Sequence, residues 1–366
     1  MKNHKKIALI AGGGTGGHLF PALSIGEELK KNNINVKYIG SIYGVEKEFF
    51  KNFKLEYYLL NITGIQRNFS FKSIYINLLF PFRFIISYIK SLLIIKSVKP
   101  SIIIGTGGYA SGLPLIAGIH LKIPTIIQDQ NSIPGLITKK LHNKVNTICL
   151  AYDLAAEKLN KKNCVITGNP IKTNLKKYKK EIALEELGLN TKKKTILILG
   201  GSQGAAPLNN HLMKNINFYI KNDFQLIWQC GESNYNYLKN NLENKNILLK
   251  SFINNMSQVY SACDLVISRA GAITISELSF MGKAMILIPY PYAAENHQYL
   301  NAKSIEKNNG CIMIEQKNLE KGKLESKIKD IYKDKITINN LETNSQLLSK
   351  PNATKEIVKN ILELIS

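Results

Sequence analysis

The chain has 366 residues, of which 45% are hydrophobic, so it can bury two domain cores and is too apolar for a disordered protein. Its 49 Lys and Arg against 26 Asp and Glu give a net charge of +23, which favours an anionic partner such as a phosphorylated substrate or an acidic lipid surface. Part of this excess is compositional, because the lysines are spread along the chain, and no arginine-rich or aromatic-interleaved block predicts nucleic-acid binding.

The first half of the chain alternates predicted strands with predicted helices. The strands are expected at 6–11, 35–39, 101–104, 124–128, 147–150 and from 165, and the helices at 21–32, 74–98 and 112–121. Alternation of this kind, with short glycine-containing loops, predicts a parallel, doubly wound sheet.

A lysine-rich stretch, 172–180, follows the last of these strands and is the candidate linker. The pattern then restarts, with strands expected at 195–199, 224–229, 247–250, 265–268 and 284–289, and helices at 208–220, from 274 and after 296. The tail, 353–365, has an apolar face with helical spacing, and we expect it to pack back on the first half. Two domains are therefore expected, 1–168 (with 350–366) and 169–349.

A glycine-rich turn follows the first strand of each half, at 12–17 and at 200–204, and each turn opens a helix. Backbone N–H groups and the helix dipole make such a turn an anion site, so the pair indicates two nucleotide-fold halves. The first turn also satisfies the G-x-G-x-x-G dinucleotide pattern. However, the second strand ends in Gly40-Ser41 without the acidic residue that would hold a ribose hydroxyl, which argues against an NAD-dependent oxidoreductase.

Several side chains near the ends of predicted strands have both a structural and a functional interpretation. His18, where the first turn becomes a helix, is either a helix-surface residue or a general base that accepts a proton from an attacking hydroxyl. Glu277 either completes a capping box with Thr274 or holds a ribose diol with its carboxylate. Gln298 and Asn301 either bond their own loop or bind sugar hydroxyls, because an amide both donates and accepts.

The segment 74–98 is apolar but carries Arg83, Lys90 and Lys96, and Pro81 interrupts its start. It lacks the roughly 18 or more nearly uncharged residues of a membrane-spanning helix. It fits either a fully buried helix or a helix with one face in the core and a second, cation-edged apolar face on an anionic membrane leaflet. We prefer the membrane interpretation.

The five cysteines are scattered along the chain and contain no Cys-x-x-Cys pair, which favours a reducing compartment and argues against a zinc site. The apolar run at 7–11 is too short for a signal peptide and ends in glycines. We therefore expect a cytoplasmic location.

Seven motifs follow one another along almost the whole chain. They are GGGTGGHLFP (12–21), GTGGYASG (105–112), QNSIPG (130–135), TGNPI (167–171), GGSQGA (200–205), SRAGAITISE (268–277) and NHQ (296–298). In this order they resemble glycosyltransferase family 28. The resemblance implies a GT-B fold, in which two Rossmann-like, doubly wound parallel-sheet domains face a cleft.

The resemblance also implies an activity and its substrates. N-acetylglucosamine would move with inversion from UDP-GlcNAc to the C4 hydroxyl of the N-acetylmuramyl unit of lipid I (undecaprenyl-pyrophosphoryl-MurNAc-pentapeptide), which gives lipid II of peptidoglycan synthesis. No metal or other cofactor is implied. Domain 1–168 would hold lipid I at the cytoplasmic face of the cell inner membrane, with 74–98 on its anionic surface, and domain 169–349 would bind UDP-GlcNAc.

The family motifs assign roles to particular residues of this chain. His18 is the implied general base. The implied UDP-GlcNAc-binding residues are Thr15, Gly16, Gly17, Asn131, Lys172, Ser202, Ile253, Ala272, Ile273, Thr274, Ile275, Ser276, Glu277 and Gln298. Among them Ser202 would contact phosphate, Ile253 the uracil and Gln298 the N-acetylglucosamine.

The chain departs from the family pattern at three places. Lys172 stands where an arginine is usual, which keeps the charge but loses the bidentate fork. Gln128-Asp129 stand where His-Glu is usual, and His297 replaces one of two paired glutamines. Two other functions remain open: a GT-B enzyme that acts on another membrane lipid, and a basic membrane- or RNA-binding module without turnover.

Overall fold

The computed structural model describes residues 6–65, 70–159, 163–201, 204–242 and 246–366. The chain divides into two compact units: unit 1 comprises residues 1–173 and 350–366, and unit 2 comprises residues 174–349. The change of unit thus falls at 173/174, inside the lysine-rich stretch, rather than at the expected 168/169.

Unit 1 is built on one parallel sheet. Its strands are β1 (Ile7–Ala11), β2 (Asn35–Ser41), β3 (Tyr57–Leu60), β4 (Ile102–Gly105), β5 (Thr125–Asp129), β6 (Thr147–Leu150) and β7 (Cys164–Ile166). They lie in the order β3-β2-β1-β4-β5-β6-β7. The inner strands β4 and β5 are buried along their whole length, as expected for a parallel sheet covered on both faces. The strand order reverses at β1, the point where open α/β sheets bind ligands.

The helices of unit 1 cover both faces of this sheet. Those that precede unit 2 in the chain are α1 (Gly16–Lys31), α2 (Glu46–Asn52), α3 (Phe71–Leu78), α4 (Phe80–Val98), α5 (Tyr109–His120), α6 (Leu136–Leu141) and α7 (Asp153–Glu157). Helix α1 begins at Gly16 rather than at the predicted 21. The predicted start was too late because the first two helical residues are glycines, which have low helix propensity. Helix α2 and strand β3 were not predicted, since seven and four residues are too short to show a clear period.

The segment 74–98 forms parts of two helices rather than one. Leu79 separates α3 from α4, and Pro81 lies in the first turn of α4, where its missing N–H costs no helical bond. One face of α4 is buried at Ser91, Ile95 and Val98. Among the described residues, no helix is both long and apolar enough to cross a bilayer.

Unit 2 repeats the design with a six-stranded parallel sheet. Its strands are β8 (Thr195–Leu199), β9 (Gln225–Gln229), β10 (Ile247–Lys250), β11 (Leu265–Ser268), β12 (Ala284–Leu287) and β13 (Ile312–Met313), in the order β10-β9-β8-β11-β12-β13. Its helices are α8 (Lys180–Glu186), α9 (Ala206–Lys214), α10 (Ile216–Lys221), α11 (Glu232–Asn241), α12 (Met256–Ala262), α13 (Ala272–Met281), α14 (His297–Glu306), α15 (Lys323–Lys333) and α16 (Lys335–Leu347). The two doubly wound parallel sheets confirm the predicted fold class.

The last helix, α17 (Ala353–Ile365), belongs to unit 1. Its predicted amphipathic face is confirmed, because Ile357 and Ile361 are fully buried in a cluster that includes Ile25 and Leu29 of α1. The Lys6 ammonium donates a hydrogen bond to the backbone carbonyl of Ile365. Helix α17 therefore packs in the same core cluster as β1.

Candidate active site

Three loops of unit 1 start side by side at the carboxyl edge of the sheet. Ala11 of β1 is paired with Gly105 of β4, and Gly105 is paired with Ile127 of β5. The loops carry the first glycine turn, the 105–108 turn and the residues that follow Asp129. Ligands of open α/β sheets bind at this edge, so the geometry selects these loops as a candidate site.

The first two of these turns pack directly on each other. Gly13 and Gly14 have positive φ angles of 152° and 88°, and Gly108 has a φ of 72°. A Cβ atom on Gly108 would lie 2.3 Å from the carbonyl oxygen of Gly13, and one on Gly107 would lie 2.6 Å from Nδ1 of His18. Only glycine permits this close approach, which brings the 105–108 turn against the histidine.

Thr15 is the N-cap of α1 and has extended backbone angles, but its side chain makes no capping hydrogen bond. Thr15 and Gly17 are exposed, and Gly16 is half-buried. The first N–H groups of a helix lack intrahelical partners and lie at the positive end of its dipole. The backbone N–H groups of Gly16 and Gly17 are therefore candidate anion donors, and the anion site expected at this turn stays a prediction.

His18 is held by two oxygen atoms on one side of its ring. Its Nδ1 lies 3.1 Å from the carbonyl oxygen of Thr106 and 3.0 Å from Oε1 of Gln130. In the other direction, the Thr106 hydroxyl donates to the carbonyl oxygen of His18 over 2.9 Å. The ring is thus fixed by residues from the loops after β4 and β5.

The orientation of the Gln130 amide sets the tautomer of His18. Its Nε2 donates to the carbonyl of Thr106 over 2.7 Å and to the carbonyl of Gln128 over 3.2 Å, so its Oε1 is the atom that faces the histidine. Because both neighbours of Nδ1 are acceptors, we assign the proton of the neutral ring to Nδ1. In that tautomer Nε2 is the basic nitrogen, as a general base requires.

Gln128 and Asp129, which stand where the family has His-Glu, have structural roles. Asp129 Oδ2 accepts from the backbone N–H of Gly135 over 2.7 Å and from the Thr138 hydroxyl over 2.6 Å. The Gln128 amide donates to Oδ1 of Asn169 over 3.1 Å. Both side chains are buried and hold the loop after β5 in place.

Besides Thr15, Gly16 and Gly17, two more predicted donor-binding residues lie in unit 1. Asn131 is half-buried and its backbone N–H lies 3.3 Å from Oδ1 of Asp129. Lys172 is half-buried, with its ammonium 4.7 Å from the centre of the Phe20 ring on α1. Lys172 therefore belongs to unit 1, where it lies beside α1, and not to unit 2.

The carboxyl edge of the unit 2 sheet also collects several loops. Leu199 of β8 is paired with Gln229 of β9 and Ser268 of β11. A Cβ atom on Gly204, in the second glycine turn, would lie 2.2 Å from the Cys230 carbonyl oxygen, so this turn packs on the end of β9. Ser202, the predicted phosphate contact, lies outside the described residues.

Gln229 links the second glycine turn to Ile253. Its Nε2 donates to the carbonyl of Gly201 over 2.9 Å, and its Oε1 accepts from the backbone N–H of Ile253 over 2.9 Å. Ile253 and Phe252 also line a cavity of about 240 Å³, together with Asn254 and Lys250. In this structure Ile253 therefore faces the cavity with its backbone N–H already bonded to Gln229.

Helix α13 begins at Ala272, with Gly271 as its N-cap, so Thr274 lies inside the helix and the alternative of a capping box with Glu277 is wrong. Glu277 is buried, and its Oε2 accepts a hydrogen bond of 2.9 Å from the hydroxyl of Tyr260. Burial, followed by the charge of Glu277, holds the pKa of Tyr260 well above its usual value. The tyrosine thus stays a hydrogen-bond donor to this carboxylate.

The other predicted residues of α13 differ in exposure. Ala272 and Ile275 are buried and support the helix from the core, whereas Ile273, Thr274 and Ser276 are half-buried. The Ser276 hydroxyl donates to the carbonyl of Ala272 over 3.0 Å.

A buried arginine organises the loop after β12. Arg269 donates to the carbonyls of Ile288 and Pro289, both over 3.2 Å, and to Oε1 of Gln316 over 2.6 Å. Gln298 Oε1 accepts from the backbone N–H of Tyr290 over 2.9 Å, so its oxygen serves the same loop.

Asn301 is fully buried, and its Nδ2 lies 3.3 Å from the carbonyl oxygen of Ala270, which favours the structural interpretation of this amide.

Sequence reasoning missed five side chains that organise the two edges: Thr106, Gln130, Gln229, Tyr260 and Arg269. Four of them, Thr106, Gln130, Gln229 and Arg269, are buried polar residues at or just beyond the carboxyl ends of strands. A search for polar residues where buried strands end would have found those four, whereas the hydrogen bond from Tyr260 depends on helix packing.

The chain is similar to both domains of one known protein family. The glycosyltransferase family 28 N-terminal domain matches residues 8–150, and the family 28 C-terminal domain matches residues 195–360. Two curated relatives are named UDP-N-acetylglucosamine--N-acetylmuramyl-(pentapeptide) pyrophosphoryl-undecaprenol N-acetylglucosamine transferase. The relative from Flavobacterium psychrophilum is 38% identical over 100% of this chain and 99% of its own length. The relative from Christiangramia forsetii is 37% identical over 98% of this chain and 97% of its own.

Among solved structures, Acinetobacter baumannii MurG superimposes with a TM-score of 0.74 over 98% of this chain and 99% of its own, at 24% sequence identity. This likeness shows that the two proteins share a fold.

Proposed function

This chain belongs to glycosyltransferase family 28, and we propose that it transfers N-acetylglucosamine from UDP-GlcNAc to lipid I, the N-acetylmuramyl-(pentapeptide) pyrophosphoryl-undecaprenol, giving lipid II. The proposal is supported by curated relatives that carry this activity in their names and match the chain from end to end. The chain is accordingly a hexosyltransferase of peptidoglycan synthesis.

The arrangement of His18 is the observation that carries a mechanism. The Nδ1 proton is held by the oxygens of Thr106 and Gln130, so Nε2 can take the proton of the acceptor C4 hydroxyl. The hydroxyl oxygen forms a bond to the anomeric carbon while the bond from that carbon to the diphosphate oxygen breaks. The attack from the opposite face inverts the anomeric centre, and UDP leaves with the electron pair.

Negative charge develops on the diphosphate as this bond breaks. In the proposed mechanism the backbone N–H groups of Gly16 and Gly17, at the start of the 16-residue helix α1, face that charge with Thr15. Lys172, close to the same helix, adds a positive charge. Such fixed donors stabilise a developing anion without reorganising during the reaction.

We assign each part of UDP-GlcNAc to different residues of unit 2. We assign the uracil to the cavity beside Ile253 and the ribose hydroxyls to Glu277, whose carboxylate is fixed by Tyr260. The N–H groups at the start of α13 would contact phosphate. Gln298, anchored through its oxygen to Tyr290, would present its amide nitrogen to the N-acetylglucosamine.

We place the enzyme peripherally at the cytoplasmic face of the inner membrane, on an apolar face formed by α3 and α4. Its residues are at least half exposed: Phe71, Ile74, Tyr75, Leu78, Phe82, Ile85, Ile86, Ile89 and Leu93. So many exposed large apolar side chains on adjoining helices are typical of a membrane or protein contact. Lys96, exposed on α4, and the net charge of +23 favour an anionic lipid surface.

The test is transfer of radiolabelled N-acetylglucosamine from UDP-GlcNAc to lipid I and, separately, to diacylglycerol. We expect a labelled lipid II product and no labelled diacylglycerol. Transfer to diacylglycerol alone would replace the proposal with a different lipid glycosyltransferase, and UDP binding without any transfer would reduce the chain to a binding module.

A further inference from the structure

Glu46 is a buried carboxylate that the mechanism above does not use. It is the first residue of α2 and is 0% exposed. Its Oε1 accepts from the backbone N–H of Ser41 over 2.8 Å, and its Oε2 accepts from the backbone N–H of Gly14 over 2.7 Å. An acidic group is thus present at the end of β2 after all, but it comes from α2 and binds the first glycine turn.

The chain is shaped to enclose this carboxylate. A Cβ atom on Gly13 would lie 2.2 Å from the carboxyl carbon of Glu46, and one on Gly44 would lie 2.0 Å from Oε2. A Cβ atom on Gly40 would lie 2.5 Å from Cγ of the same residue. Glycines at these three positions leave the space that the glutamate side chain fills, and successive backbone N–H groups of a glycine turn form an anion-binding concavity.

The first turn therefore already holds an anion, and that anion belongs to the protein. The N–H of Gly14 points at Glu46, so a diphosphate oxygen cannot use the same donor without displacing a buried carboxylate. Displacement would leave a buried charge unpaired, which is costly. Phosphate contacts from this turn are then confined to the residues after Gly14.

A short chain of contacts leads from Glu46 to the general base. Gly14, which bonds Glu46, packs against the ring of Tyr109, since a Cβ on Gly14 would lie 3.2 Å from that ring. The neighbouring Gly13 carbonyl packs against Gly108, and the 105–108 turn in turn holds Nδ1 of His18. Burial, followed by the charge of Glu46, raises the pKa of Tyr109, which agrees with their proximity.

We propose that Glu46 is a positioning residue for the transfer reaction: its carboxylate occupies the anion site of the first glycine turn and fixes the 13–14 backbone, and thereby the 105–108 turn that orients His18. The kinetic part of this inference rests on the function proposed above. The structural part, that Glu46 sets the conformation of the turn, does not.

The test compares Glu46→Gln with a matched control, Glu48→Gln, which removes an exposed carboxylate from the same helix. The glutamine has nearly the same shape, but one of its two groups is a donor that faces a backbone N–H, so one hydrogen bond is lost. We expect kcat on lipid I to fall about tenfold or more, with KM for UDP-GlcNAc and the Kd for UDP changed by less than about threefold. Glu48→Gln should match the wild type in all three.

Amide hydrogen exchange of Gly14 provides a readout that does not depend on activity. We expect this amide to exchange slowly in the wild type and at least about tenfold faster in Glu46→Gln, while unit 2 amides are unchanged. If Glu46→Gln does not fold, Glu46→Asp, which keeps the charge but shortens the side chain, undergoes the same measurements and should show the same changes.

The outcomes separate the two proposals. A wild-type protein that fails to glycosylate lipid I overturns the proposed function, while faster Gly14 exchange in the variant still supports the structural role of Glu46. An unchanged kcat, or an unchanged Gly14 exchange rate in the variant, overturns the role of Glu46. A loss of kcat with an equal loss of UDP affinity and of thermal stability would show a general folding defect and would also overturn it.

Discussion

His18 has two ring nitrogens, and the mechanism we propose gives them different tasks. Oxygens of Thr106 and Gln130 hold the proton on Nδ1, so in the proposed mechanism Nε2 is the accepting atom. The position of His18 after a glycine turn was enough to nominate it from the sequence. Its partners could not be nominated, because residues 88 and 112 positions away meet it only through the strand order β1-β4-β5.

Replacing His18, the proposed general base, should abolish most turnover without weakening the binding of the donor nucleotide. We expect His18→Ala to lower kcat by about 10²–10⁴-fold, the usual contribution of general base catalysis. UDP affinity, measured by calorimetry, should stay near wild type, since the proposed uracil and ribose contacts lie in unit 2. His142→Ala, which removes a histidine from the end of α6, is the control and should remain fully active. Near-wild-type turnover by His18→Ala would remove His18 as the base.

Gln130 should act only through His18. Gln130→Ala removes one of the two Nδ1 acceptors and leaves the Thr106 carbonyl, so we expect kcat to fall about tenfold, the equivalent of one hydrogen bond. In a double-mutant cycle, His18→Ala with Gln130→Ala should be no slower than His18→Ala alone. Additive losses in steady-state kcat would instead mean that Gln130 has an independent task.

Whole elements were predictable to different degrees. The bounds of strands such as β8 and β11 were predicted correctly from the sequence. A short, continuous apolar run is typical of a strand that is buried on both faces of a parallel sheet. Helix starts were less accurate, since α1 and α13 begin directly at or after glycines that a propensity argument assigns to turns. The same error affected the site prediction. A capping box at Thr274 was plausible only because the start of α13 was predicted too late.

The apolar face of α3 and α4 should be tested as a unit. Phe82 and Ile86 are 66% and 60% exposed, so changing both to Asp should leave the fold intact. Each apolar side chain buried in a lipid surface contributes about 1.5–3 kcal/mol, so we expect the double variant to bind anionic vesicles about 100-fold more weakly in co-sedimentation. Leu347→Asp alters a residue that is 77% exposed on α16 and should bind as the wild type does. Equal binding by all three proteins would exclude this face from the membrane contact.

At the scale of the whole chain, unit 1 is discontinuous in sequence. It comprises residues 1–173 and 350–366, with all of unit 2 inserted between them. Helical periodicity predicted α17 with its observed bounds, because its apolar residues repeat regularly over 13 positions. Periodicity could not identify the core cluster against which α17 packs, because it reveals that a helix has a buried face but not what covers that face.

A core substitution in α17 should therefore destabilise unit 1 and leave unit 2 unchanged. Ile361 is 0% exposed, and its replacement by Ala should lower the free energy of unfolding of unit 1 by about 2–5 kcal/mol, a large share of a typical 5–15 kcal/mol. The chain contains a single tryptophan, Trp228, which is buried in unit 2, so its fluorescence follows the unfolding of that unit while far-UV circular dichroism follows both.

In urea titrations of Ile361→Ala, we expect an early dichroism transition to separate from the tryptophan transition, which should not move. Lys355→Ala, an exposed change on the same helix, should leave both transitions in place. A tryptophan midpoint that falls together with the dichroism midpoint would mean that the stability of unit 2 depends on α17, and the two units would then have to be treated as one cooperative system.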